Sequence, residues 1–108
     1  MTPVEVLEAT KTQLIKHGWR KYTWGPLEGP NCTEGALIFA GVGNNESRIQ
    51  ATLFLRSAIA TRNGEVVSIV DWNDQATTTF DDIMAALDDA ILAAKEEEAG
   101  HVRNMHGT

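Results

Sequence analysis

TFDDIMAALDDAILAAKEEEA, residues 79–99, decides the fold class. Phe80, Ile83, Met84, Leu87, Ile91 and Ala94 recur at three- and four-residue spacing, which places them on one helix face. Thr79 stands as N-cap, and Asp81 and Asp82 fall in the first turn, where the helix dipole favours negative charge. Asp82, Asp89 and Glu96 repeat at seven-residue intervals on the opposite face, flanked by Asp81 and Asp88. Such a helix is stable only if other elements cover its apolar stripe.

Working toward the N-terminus, Val66, Val67, Ile69 and Val70 form a β-branched run long enough for one short strand, leaving Trp72-Asn73-Asp74 in a polar loop after it. Asn63-Gly64 is a turn signal. A helix is expected from about Glu46 to Arg62, with Ile49, Leu53 and Ala60 on one side and Phe54, Leu55, Ala58 and Ile59 over most of the rest. A helix apolar nearly all round is buried on several sides or meets another subunit. Asn31, with Glu34 three residues on, reads as the N-cap of a short helix Cys32–Ala40 that ends at Gly41 and Gly43. Trp19 to Pro30 interleaves Trp19, Tyr22 and Trp24 with Arg20 and Lys21 and then turns through two Gly and two Pro, so it is an extended stretch and loop. The first helix has Thr2 as N-cap, Pro3 at N1 and Glu5 at N3 in a capping box, with Val4, Leu7, Leu14 and Ile15 as its stripe and Gly18 as its stop.

The expected architecture is therefore mainly α. It is a single domain over residues 1–99, about four helices around the third, with an aromatic loop. A two-stranded β ribbon could pair Arg20–Trp24 with Val66–Val70. Residues 100–108 are polar and aperiodic, and read as a flexible tail.

Composition narrows the function classes. The chain has 108 residues, 43% of them hydrophobic and 22% charged, a balance that supports a packed core rather than disorder. One cysteine, Cys32, can form neither an internal disulfide nor a cysteine zinc site. The longest apolar run, Ala36–Ala40, is far below the ~20 residues of a membrane span, and no secretory signal stands at Met1. The expected setting is the cytoplasm, without membrane contact. Residues 1–63 carry a balance of +2 and residues 64–108 a balance of −8. A net charge of −6 repels a phosphate backbone, so direct nucleic-acid binding is not expected. The acidic half could meet a basic partner or imitate nucleic-acid charge, although charge runs more often only solubilise a face.

Two constellations could carry chemistry. Cys32 in the first turn of a helix could be activated as a thiolate by the dipole, with His17 as base. Against this, a small residue ahead of Gly35-Ala36 more simply packs between helices. Trp72, Asn73 and Asp74, with Trp19 and Trp24, could line a binding site in which Asp74 acts as acid or base. Against this, Asn and Asp commonly pin loops, with a tryptophan plugging the core beneath. No cofactor and no metal site is implied. Phe54, Ala58 and Leu92 lie off the expected stripes and mark an interface, with a homodimer as one outcome.

Gly18-Trp19, Cys32-Thr33-Glu34-Gly35-Ala36-Leu37 and Trp72-Asn73-Asp74, in this order, resemble the pattern of a family of small actinobacterial and actinophage proteins, a domain of unknown function. The resemblance covers about residues 4–95. It departs at Thr77-Thr78-Thr79, where the family often has a basic residue and a single threonine. It implies a shared fold and an actinobacterial or phage origin, and no activity. The function expected is a small non-enzymatic interaction or regulatory protein, phage-encoded and acting on a host protein. The alternative is a small-molecule binder or cysteine-dependent enzyme centred on Cys32 and Trp72-Asn73-Asp74.

Overall fold

The computed structural model describes the backbone of residues 1–106 and the side chains of residues 1–100. Five helices follow one another: α1 (Pro3–His17), α2 (Thr33–Ala40), α3 (Asn45–Asn63), α4 (Ile69–Asp74) and α5 (Phe80–His106). α1 lies against α2, α3 and α5, and α3 lies against the other four helices. The molecule measures 48 × 32 × 18 Å, and its thin dimension is that of two helix layers at interaxial distances of about 8–10 Å.

Local chemistry explains where the helices start. The Thr2 hydroxyl accepts from the Glu5 amide at 3.2 Å while the Glu5 carboxylate accepts from the Thr2 amide at 2.9 Å. Thr79 and Asp82 make the same reciprocal pair ahead of α5, at 3.2 and 2.9 Å. Bonds to the backbone and hydroxyl of the capping threonine hold both carboxyls below their ordinary range. Val6, Leu7 and Leu14 of α1 close with Leu37, Leu55, Ile59, Ile83 and Leu87 into one core. Ala86 and Ala90 of α5 are fully buried in that core, where small side chains let helices approach closely.

Several expectations are corrected. Val66–Val70 is not a strand, and the β ribbon does not form. Among the described residues the only β-type pairing is an isolated parallel bridge between Trp19 and Asn31. Val66 is 80% exposed, and Ser68 caps α4 by accepting from the Asp71 amide at 3.0 Å. Ile69, Trp72 and Asn73, at helical spacing, are buried, so Trp72-Asn73-Asp74 stands on a helix rather than in a loop. The signal was present as Ser68-x-x-Asp71, a capping pattern that outweighs four β-branched residues lacking a partner strand.

The third helix is not buried all round. Its seam is Ala51, Leu55 and Ile59, one residue per turn, while Ile49 and Leu53 are exposed. On α1, Ile15 is exposed, and Val6 and Thr10 are buried in its place. The Thr10 hydroxyl donates to the Val6 carbonyl at 2.8 Å, which lets a polar residue sit in the core. α5 continues past Gly100, where the sequence reading began a polar tail, because one interior glycine costs a helix only about 1 kcal/mol. Residues 107–108 of that tail lie outside the described residues.

The uneven charge is partly resolved inside the fold. Lys11–Asp88 at 2.6 Å and Arg62–Asp89 at 2.8 Å join the basic half of the chain to α5, and Lys95–Glu8 at 3.6 Å joins them in the opposite sense. Each pair is exposed and worth at most about 1 kcal/mol.

Candidate functional site

Trp72-Asn73-Asp74 forms a junction between three segments. The Asn73 Oδ1 accepts from Trp19 Nε1 at 2.6 Å, from the Thr33 amide at 3.0 Å and from the Thr33 hydroxyl at 2.7 Å. Its Nδ2 donates to the Arg20 carbonyl at 3.1 Å and to Asp74 Oδ1 at 2.9 Å. The Thr33 amide is one of the four that the start of α2 leaves without an intrahelical partner, so a side chain 40 residues away completes that helix. Asp74 in turn accepts from the Tyr22 amide at 2.8 Å, which fixes Tyr22 at φ 76°, a left-handed conformation rare for an aromatic residue. Trp72 is buried beneath this junction. Trp19 is half-buried over Phe80 with ring centroids 6.1 Å apart, and the Lys21 ammonium lies 5.5 Å from the Trp19 ring while donating to the Gln75 carbonyl.

A second asparagine holds the aromatic loop. Asn31, expected as the α2 cap, is instead fully buried beside it. Its Nδ2 donates to the Trp24 and Pro26 carbonyls at 3.0 and 2.7 Å, and its Oδ1 accepts from Gln13 Nε2 at 2.8 Å. The Trp24 side chain is left 54% exposed, while its backbone lies against Gly35. Among the described residues, no buried side-chain nitrogen or oxygen lacks a partner. The polar groups that looked available for chemistry are engaged in holding the chain together.

Cys32 is the N-cap of α2, one position earlier than the first turn expected for it. Its sulfur accepts from the Gly35 amide at 3.3 Å, and the residue is 2% exposed. Burial pushes the thiol pKa up; the Gly35 and Glu34 amides oppose this, and the Glu34 and Asp74 carboxylates add to it. The dipole argument for a thiolate is thus outweighed by desolvation. His17 sits in the last turn of α1, half-buried, and is not a hydrogen-bond partner of the sulfur. A thiol reagent at neutral pH should modify Cys32 more slowly in the native protein than in the unfolded chain, since burial both shields the sulfur and disfavours its thiolate. Equal rates in the two states would restore the nucleophile.

The structure does bring Phe54, Ala58 and Leu92 together. They line one end of a groove between α3 and α5, a volume of about 330 Å³ bounded also by Ser57, Ala93 and Glu96. At Phe54 and Ser57 it meets a larger volume of about 860 Å³, lined by Leu53, Gln50, Val4 and Ala94 with Glu97 and Glu98. Leu53 and Leu92 are 57% and 59% exposed and, with Phe54 and Ala58, give the groove its apolar lining. Sequence reasoning found Phe54, Ala58 and Leu92 as residues without a place on the core stripes. Leu53, read with Ile49 and Ala60 on another side of α3, is the groove residue missed.

No curated protein and no solved structure matches the chain. The sequence profile of one family matches residues 1–93, a stretch that contains both asparagine junctions and the floor of the smaller volume through Ala93. The chain belongs to that family, the family of unknown function DUF6197.

Proposed function

We propose that this is a small non-enzymatic interaction protein that works through the groove between α3 and α5. The supporting observation is the groove itself, an apolar floor left open on a molecule whose other polar clusters are internally satisfied. Of the side chains in the competing reading, Cys32 is buried and caps α2, and the half-buried Asp74 is engaged by the Tyr22 amide and Asn73. The proposal takes its setting from the resemblance of Gly18-Trp19, Cys32–Leu37 and Trp72-Asn73-Asp74 to actinobacterial and actinophage proteins: a phage-encoded chain acting on a host protein in a bacterial cytoplasm.

The test compares capture of proteins from actinobacterial lysate by three forms of the full chain. Replacing the two exposed leucines of the groove, Leu53→Ser with Leu92→Ser, should leave the melting temperature nearly unchanged, because exposed substitutions usually shift stability by less than about 0.5 kcal/mol. It should reduce capture at least about tenfold, since truncating central apolar anchors commonly costs 2 kcal/mol or more. Cys32→Ser, which keeps an N-cap acceptor, should capture as the unaltered protein does. Capture lost with Cys32→Ser and indifferent to the leucines would overturn the reading in favour of a site at Cys32. Capture indifferent to all three substitutions would overturn it outright.

A further inference from the structure

We infer that the occupant of the α3–α5 groove is an amphipathic helix of a partner protein, apolar along one stripe and flanked by Lys or Arg. This rests on the interaction role proposed above and adds the chemistry of the partner. The groove follows a single face of α3: Glu46, Gln50, Leu53, Ser57 and Thr61 recur at three- and four-residue intervals, with Phe54 and Ala58 beside them. The matching face of α5 runs in the opposite direction, with Glu97 and Glu98 near Glu46 and Asp89 near Thr61. From Glu46 to Thr61 the face is about 22 Å long at 1.5 Å per residue, the length of a four-turn helix. Ser57, Ala58 and Ala93 are small, so a third helix could settle between α3 and α5 as ridges settle into grooves.

Charge then selects the occupant. The wider section is bounded by Glu46, Glu97 and Glu98 and the narrower by Asp89 and Glu96, and no Lys, Arg or His lines either among the described residues. Asp89 is answered by Arg62 within the chain, while the four glutamates are in none of the ion pairs among the described residues. An apolar floor between acidic rims complements apolar anchors between basic flanks. A second copy of this chain fits less well. It carries −6 itself, and a twofold pairing across the groove would set these carboxylates against one another. A small organic ligand also fits less well, because the open floor offers no buried polar group to orient it.

The experiment measures fluorescence anisotropy of labelled synthetic peptides of about 15 residues against the full chain. One peptide has a leucine stripe flanked by Lys and Arg, the second carries Glu at the flanking positions, and the third scrambles the first so that no apolar stripe remains. The basic amphipathic peptide should bind, and its affinity should fall several-fold as salt rises from about 50 to 300 mM. Glu97→Gln with Glu98→Gln should weaken it about three- to tenfold, as rim charge pairs are worth up to about 1 kcal/mol each. Leu92→Glu separates seating in the groove from mere attraction between opposite charges: it adds a negative charge yet should weaken binding at least about tenfold by spoiling the floor.

Equal or tighter binding to Leu92→Glu, equal binding of the scrambled peptide, or preference for the acidic peptide would each overturn the inference. So would a mass that doubles in light scattering and returns to monomer with Leu92→Glu, since the occupant would then be a second copy. If the basic peptide fails while lysate capture still depends on Leu53 and Leu92, the partner chemistry is wrong and the interaction role stands. If neither depends on the groove, both fall.

Discussion

Asn73→Ala should be the most damaging single substitution of a polar residue in this protein, lowering stability by roughly 3–5 kcal/mol. Five hydrogen bonds end on this one side chain. Alanine would leave the Thr33 amide, the Thr33 hydroxyl and Trp19 Nε1 without their acceptor in a buried region. Leaving a buried polar group unpaired costs about 1–3 kcal/mol each, and relaxation or entering water would recover part of it. For a domain of this size the melting temperature should drop by roughly 12–25 °C. Asn73→Asp probes the two ends of the amide separately. It keeps an acceptor for Trp19 and Thr33 but sets a second carboxyl against Asp74. When protonated, that carboxyl can still donate; when ionised, it repels Asp74. Its stability relative to the native sequence should therefore fall as pH rises through the carboxyl range. Thermal melts of both variants across pH are the measurement. A loss below about 1 kcal/mol for Asn73→Ala would show that the junction does not hold the three segments together.

Gly35→Ala should also destabilise, by about 2–3 kcal/mol, although helix propensity alone predicts a gain of about 1 kcal/mol for replacing glycine inside a helix. The added Cβ would lie 2.8 Å from the Trp24 carbonyl oxygen and 3.1 Å from the Trp24 Cα and Cβ. These are largely backbone atoms and cannot swing aside. The same carbonyl accepts from the Cys32 amide at 3.3 Å and from Asn31 Nδ2 at 3.0 Å, so moving it loosens the α2 cap and the aromatic loop together. The local signature is faster hydrogen exchange at the Cys32 amide and altered Trp24 fluorescence, beside a lower melting temperature. A variant more stable than the native protein would show that propensity outweighs the close approach, and that the loop does not rest on α2 as described.

Both effects arise where the chain crosses itself, and this separates what was legible in the sequence from what was not. The capping boxes at Thr2–Glu5 and Thr79–Asp82, the stripe of α5 and the turn at Gly64 depend on residues three or four apart, so they can be read directly. Phe54, Ala58 and Leu92, expected from sequence as an interface patch, line one groove, with Phe54 and Ala58 also packed against the core. The sequence reading assigned Val66–Val70 to a strand because four β-branched residues were weighed by propensity, while the Ser68 cap and the burial of Trp72 and Asn73 favoured a turn of helix.

Residues close together in the chain are enough to establish a helical class, an aromatic loop and an excess of acid in the last helix, whereas the burial of Cys32 comes from the packed structure. Only the tertiary structure decided what the asparagines do. Asn31 and Asn73 have the same side chain and both precede a residue that could cap or pin. Yet one gathers carbonyls from the aromatic loop and the other binds Trp19 and Thr33 from 54 and 40 residues away. An amide can donate and accept in any local conformation, so its role is set by whichever unpaired groups the packed helices bring to it. The groove has the same origin: its floor and its rims draw on both α3 and α5, with the start of α1 at the wider end, so no single stretch of sequence shows it.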